Sequence, residues 1–102
     1  VTDLSGNALY FSRSPIPYPR SGDFPAGYNL HVGVYGYRKQ ALMAFTGWAP
    51  SPAEQTEKLE QLRYLEHGVK IRMASTTHTT IAIDTPGDLE RARAWFAANR
   101  NV

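Results

Sequence analysis

A chain of 102 residues, 42% apolar and 20% charged, has the composition of a globular domain and excludes a disordered tail. It holds no cysteine, which removes disulfides and thiolate-bound zinc, and no apolar run nears the roughly 18–20 residues of a membrane helix. The net charge of +2 comes from 11 Lys and Arg that never stand three in a row, so neither a nucleic-acid partner nor membrane insertion is expected.

Residues 1–102 read as one domain without repeat or linker. The opening Asp3-Leu4-Ser5-Gly6-Asn7 predicts a turn, because Gly and Asn accept positive φ. Residues 8–12 form an apolar run that reads as a strand. Pro15, Pro17 and Pro19 then alternate, and Gly22, Pro25 and Gly27 follow, so residues 14–29 are expected to be an irregular loop. Residues 30–37 read as a second strand, with Val32 and Val34 on one face and His31, Gly33 and Tyr35 on the other. A short helix is expected over 38–46, with Leu42 and Phe45 inward.

Ser51-Pro52 with Glu54 three residues past the cap has the grammar of a helix start, and Gly68 that of a helix end. One continuous helix from 52 to about 66 is therefore predicted. Val69 to Ala74 and Thr79 to Ile83 read as strands joined by a turn at Thr76-Thr77-His78. Thr85-Pro86-Gly87-Asp88 repeats the cap grammar, and Leu89, Ala92 and Phe96 give an inward stripe to about residue 98. Helices alternating with strands make the fold class α/β.

Four places carry groups capable of chemistry. His31 and Tyr35 share a face across Gly33, which lets a ligand or another backbone approach closely; a satisfied histidine on a half-buried strand has the same spacing. On the helix over 52–66, Gln55, Leu59, Leu62 and Leu65 fall on one face and Glu57, Glu60, Gln61 and Tyr64 on the other. The second face suits a polyhydroxylated ligand, and a solvated surface would look alike. Asp84, between a strand and a helix, is placed either to hold Mg²⁺ or to shape its turn. Arg13 suits a carboxylate or phosphate, or simply the surface. His67 and His78 are assigned nothing, and no P-loop, GxSxG, HExxH or EF-hand pattern is present.

Six blocks stand in a fixed order: Ala8-Leu9-Tyr10-Phe11-Ser12-Arg13 with Pro15-Ile16-Pro17; His31-Val32-Gly33-Val34-Tyr35-Gly36-Tyr37-Arg38; Trp48-Ala49-Pro50-Ser51-Pro52; Leu59-Glu60-Gln61-Leu62-Arg63; Gly68-Val69-Lys70-Ile71; and Asp84-Thr85-Pro86-Gly87-Asp88-Leu89-Glu90. Together they resemble the C-terminal part of the 3-deoxy-manno-octulosonate (KDO) cytidylyltransferases, or CMP-KDO synthetases. The resemblance implies a nucleotide-diphospho-sugar transferase-like (Rossmann-like) mixed sheet with flanking helices. It also implies a bacterial cytoplasmic enzyme of lipopolysaccharide synthesis that joins KDO to CMP from CTP, with Mg²⁺ as cofactor. Carried over by motif, Arg13, His31, Tyr35, Glu60 and Gln61 would bind the sugar and Asp84 the metal.

The arginine- and lysine-bearing nucleotide loop and the second metal-binding Asp of the family's N-terminal half have no counterpart in these residues. The expectation is therefore a C-terminal fragment, inactive alone, with Val1 at a cut. The alternative is a non-catalytic sugar-binding or dimerisation module from a truncated gene. Homodimerisation, or association through exposed strand edges, is expected in either case.

Overall fold

In the computed structural model, which describes residues 1–78 and 80–100, four helices are strung along extended chain. They are α1 (Lys39–Thr46), α2 (Pro52–Glu57), α3 (Leu62–Glu66) and α4 (Pro86–Ala98). Where sequence signals are local, the structure follows them. Thr85 Oγ1 accepts from the Asp88 N–H at 3.1 Å and the Asp88 carboxylate accepts from the Thr85 N–H at 3.0 Å, a reciprocal capping box that starts α4. At the end of α3, Val69 N–H reaches Tyr64 O at 2.9 Å and Gly68 N–H reaches Leu65 O at 3.0 Å. These paired bonds require the left-handed φ of 74° that Gly68 adopts.

The opening turn closes as predicted. Gly6 has φ 87°, and one Asp3 carboxylate oxygen accepts from the N–H groups of Ser5 and Asn7, each at 2.9 Å. The 14–29 loop turns twice, through Gly22 N–H to Pro19 O and Gly27 N–H to Phe24 O, both 2.9 Å. The 76–78 turn is closed by the His78 N–H on Thr76 Oγ1 at 3.1 Å.

Two expectations of secondary structure fail. The runs at 8–12, 30–37 and 69–74 form no sheet among the described residues; isolated antiparallel bridges join Thr2 with Ala8 and Asn7 with Arg72, and 30–37 takes part in neither. Of the run at 79–83, Thr79 lies outside the described residues and 80–83 pair with nothing. A strand needs neighbouring backbone about 4.8 Å away, and these segments have too little of it. The 30–37 segment also bends, with the Val34 N–H bonding to Val32 O at 2.9 Å in a three-residue turn centred on Gly33.

The second failure is the helix over 52–66. It breaks into α2 and α3 at Lys58, whose φ of 56° is left-handed. Leu62 and Tyr64 are buried while Leu59 is half-buried, so the two faces read from one straight helix do not exist.

The buried residues explain how α2 and α3 hold together. Phe11, Leu62 and Tyr64 are the buried apolar residues of this region and Ser51 and Glu54 its buried polar ones, while Ala92 is buried separately on α4. Glu54 accepts the Ser51 N–H at 2.9 Å and is gripped by Arg63 through Nε at 2.8 Å and Nη2 at 2.6 Å. Glu66 accepts the Ala53 N–H at 3.0 Å, so a second carboxylate meets the start of α2. The stripe on α4 is covered only at Ala92; Leu89 and Phe96 are exposed, and so is Leu42 on α1.

Candidate functional site

The bend at Gly33 decides what His31 can touch. In a flat strand, positions four apart are about 13 Å distant. Here the imidazole and the Tyr35 ring lie 5.5 Å apart by centroid, and the Tyr35 hydroxyl is hydrogen-bonded to His31 Nε2. On the other side of the ring, Gln61 Nε2 meets Nδ1 at 3.3 Å, and Phe11 packs on the ring at 4.6 Å. With the amide nitrogen donating to Nδ1, the neutral imidazole carries its hydrogen on Nε2 and gives it to the Tyr35 oxygen. The phenolic hydrogen is then left to donate elsewhere.

Burial acts on both groups in a consistent way. It holds the His31 imidazole below its ordinary value of 6.5 and pushes the Tyr35 phenol above 10.0. Near neutral pH both are uncharged, and both remain able to exchange hydrogen bonds with a hydroxylated ligand.

From this cluster a run of rings extends along the molecule. Tyr35 lies 6.0 Å from Tyr37, Tyr37 lies 5.7 Å from Tyr64, and Tyr64 stacks on Phe45 at 4.9 Å. Trp48 meets Tyr64 edge-on at 5.9 Å and stacks flat on His67 at 3.9 Å. The Arg63 guanidinium sits over Phe45 at 4.0 Å, which fixes that ring from its open face. Tyr64, expected on a polar helix face, is instead the hub of this stack.

The structure brings three of the six expected site residues into direct contact: His31, Tyr35 and Gln61. Arg13 lies apart from them, donating from Nε to Glu57 O at 2.5 Å and from Nη2 to Lys58 O at 3.0 Å. Glu60 is exposed in the turn before α3, and its backbone oxygen accepts the Arg63 N–H at 3.0 Å. Asp84 stands exposed at the start of α4, where its backbone N–H is bound by Asp88 at 3.1 Å. Sequence reasoning missed Phe11 as the ring against His31. It also missed the Glu54–Arg63 pair, although both residues stood in segments already singled out, nine positions apart.

Among the described residues no three His, Asp or Glu side chains gather to hold a metal ion. The exposed Asp84 carboxylate is nonetheless one hard oxygen donor. It fits one ligand position of a Mg²⁺ shell.

The cytidylyltransferase family model matches residues 1–71. The chain belongs to the cytidylyltransferase family. Within it, the chain is 57% identical over 94 residues to a 3-deoxy-manno-octulosonate cytidylyltransferase of Flavobacterium johnsoniae, covering 92% of this chain and 38% of the relative. To the enzyme of the same name from Myxococcus xanthus it is 49% identical over 98 residues, covering 96% and 40%. A solved CMP:2-keto-3-deoxy-manno-octonic acid synthetase, complexed with CTP, superposes with a TM-score of 0.90 at 45% identity over 96% of this chain and 40% of that one.

These likenesses bear out the resemblance read from the six blocks, and they set this cytidylyltransferase chain in the α/β fold of that synthetase. The chain spans about 40% of the length of the relatives it matches.

Proposed function

We propose that this chain is the C-terminal, sugar-recognising part of an enzyme that transfers CMP from CTP to KDO in the bacterial cytoplasm, for lipopolysaccharide synthesis. The observation that carries this reading is the kinship to KDO cytidylyltransferases along nearly the whole chain. The site supports it: His31, Tyr35 and Gln61 converge as uncharged donors and acceptors, a set suited to sugar hydroxyls.

In the reaction, the anomeric hydroxyl oxygen of KDO bonds to the α-phosphorus of CTP as its proton passes to solvent water. The bond from that phosphorus to the pyrophosphate oxygen breaks. His31, Tyr35 and Gln61 orient the sugar, Glu60 at the neighbouring turn reaches its outer hydroxyls, and Arg13 offers Nη1 to its carboxylate. Asp84 would hold Mg²⁺, which when bound would neutralise charge on the phosphates. The extended segments 8–12, 30–37, 69–74 and 80–83 join a mixed sheet whose other strands lie in the part of the fold that the longer relatives carry.

These 102 residues lack a nucleotide loop, and positioning is a large share of phosphoryl-transfer catalysis. We therefore expect the chain to bind KDO weakly and to make no CMP-KDO by itself. Calorimetry with millimolar KDO tests the first part: heat that disappears in Gln61→Ala supports it, and no heat from the unaltered chain sinks it. An assay with CTP, KDO and Mg²⁺ tests the second, since robust product from this polypeptide alone refutes inactivity.

A second reading, a non-catalytic dimerisation or sugar-binding module, is favoured by one observation. The α4 face lined by Ile83, Trp95 and Phe96 is apolar and exposed. A stable dimer that binds KDO without restoring turnover alongside a nucleotide-binding half would select this reading.

A further inference from the structure

An unbroken helix from Pro52 through Glu66 would spend the carbonyls of Glu57 and Lys58 on the N–H groups of Gln61 and Leu62, four residues on. Both carbonyls are instead taken by Arg13, at 2.5 Å from Nε and 3.0 Å from Nη2. Leu62 N–H turns to Leu59 O at 3.2 Å, and Lys58 swings into the left-handed region. A guanidinium at the C-terminal end of α2 also meets the negative end of the helix dipole. The preceding residue adds a tether, the Ser12 hydroxyl donating to Glu57 Oε1 at 3.0 Å. One residue earlier, Phe11 packs on the His31 ring at 4.6 Å.

Three consecutive residues thus hold both halves of one contact. Phe11 sets the imidazole, while Ser12 and Arg13 set the turn from which Gln61 reaches it. We propose that Arg13 is a positioning residue, which ends α2 at Lys58 and so places the Gln61 amide on His31. Its consequence for sugar recognition rests on the reading given under Proposed function, but the contact itself does not. On a straight helix Gln61 would share a face with Tyr64, which the fold buries among Tyr37, Phe45 and Trp48. Ending α2 early re-aims α3, with Gln61 at its cap, so that Tyr64 packs inward while the Gln61 amide reaches the histidine.

The test is an NMR titration of the His31 imidazole, ¹⁵N-labelled, in the 102-residue chain without nucleotide or sugar. The Gln61 donor favours the neutral ring, so its loss raises the His31 pKa. Gln61→Ala and Arg13→Ala are each expected to raise it by roughly half a unit, the scale of one neutral hydrogen bond. The double variant rises no further than either single one, and Arg13→Lys falls between the wild type and Arg13→Ala. Arg20→Ala, in the proline loop, leaves the titration unchanged.

An unshifted His31 in a folded Arg13→Ala chain overturns the proposal, and so does a double variant whose shift is the sum of the two. If Arg13→Ala does not fold, Arg13→Gln, which keeps one donor, decides by the same criterion. Failure of the sugar reading would show separately, as absent heat with KDO beside an intact titration.

Discussion

Glu54 and Arg63 show what one buried pair does for this fold. The Arg63 guanidinium, hydrogen-bonded to both carboxylate oxygens, holds the Glu54 carboxyl below its ordinary value of 4.5. A carboxyl that binds its proton less readily when folded lends stability above its unfolded value and loses it as pH falls through the folded one. Urea midpoints of the wild type should therefore drop across the acidic carboxylate range, and Glu54→Gln should flatten that drop while lowering stability at neutral pH. His31 works in the same direction from a different cause, since burial opposes its protonation. Its share of stability is whole above 6.5 and declines as pH falls below that value toward the folded pKa. In His31→Gln the decline just under 6.5 should disappear, again read from urea midpoints.

At the scale of elements, each helix end tests a separate physical cause. Gly68 closes α3 at φ 74°, and a Cβ there would meet nothing within 4 Å. Gly68→Ala should therefore cost backbone strain alone, about 1 kcal/mol, seen in chemical denaturation. Thr85→Ala, which removes the cap of α4, should cost a similar ~1 kcal/mol. These ends were legible in the sequence because cap and partner stand three or four residues apart. The break at Lys58 was not, because the group that takes the carbonyls of Glu57 and Lys58 is Arg13, 44 and 45 positions away. The candidate site divides in the same manner. His31 and Tyr35 were readable as one face, and Gln61 as part of a polar helix face, but only the turn at Gly33 and the break before α3 bring all three together. The strand-like runs carry true extended patterning; the missing ingredient is backbone to pair with, which periodicity does not report.

The whole molecule is wider than its length warrants. Its Cα radius of gyration is 16.7 Å, whereas a compact chain of this size measures about 13 Å. Leu30 and Val34 are more than 80% exposed, and the α4 face with Ile83, Trp95 and Phe96 is open as well. Apolar area of this kind in a small chain drives association. Sedimentation should show a mass that grows with concentration, and Phe96→Glu should reduce it without loss of helix by circular dichroism. A strictly monomeric wild type would refute this. The two tryptophans then become optical reporters of separate events. Trp48 packs edge-on against Tyr64 and flat on His67, whereas Trp95 stands 42% exposed on the open α4 face. Trp95 emission should lie to the red and yield to acrylamide, and it should shift blue when that surface is covered. Trp48 should hold its colour throughout, so a single-tryptophan pair, Trp48→Phe and Trp95→Phe, would time the covering of α4 apart from any rearrangement near His31.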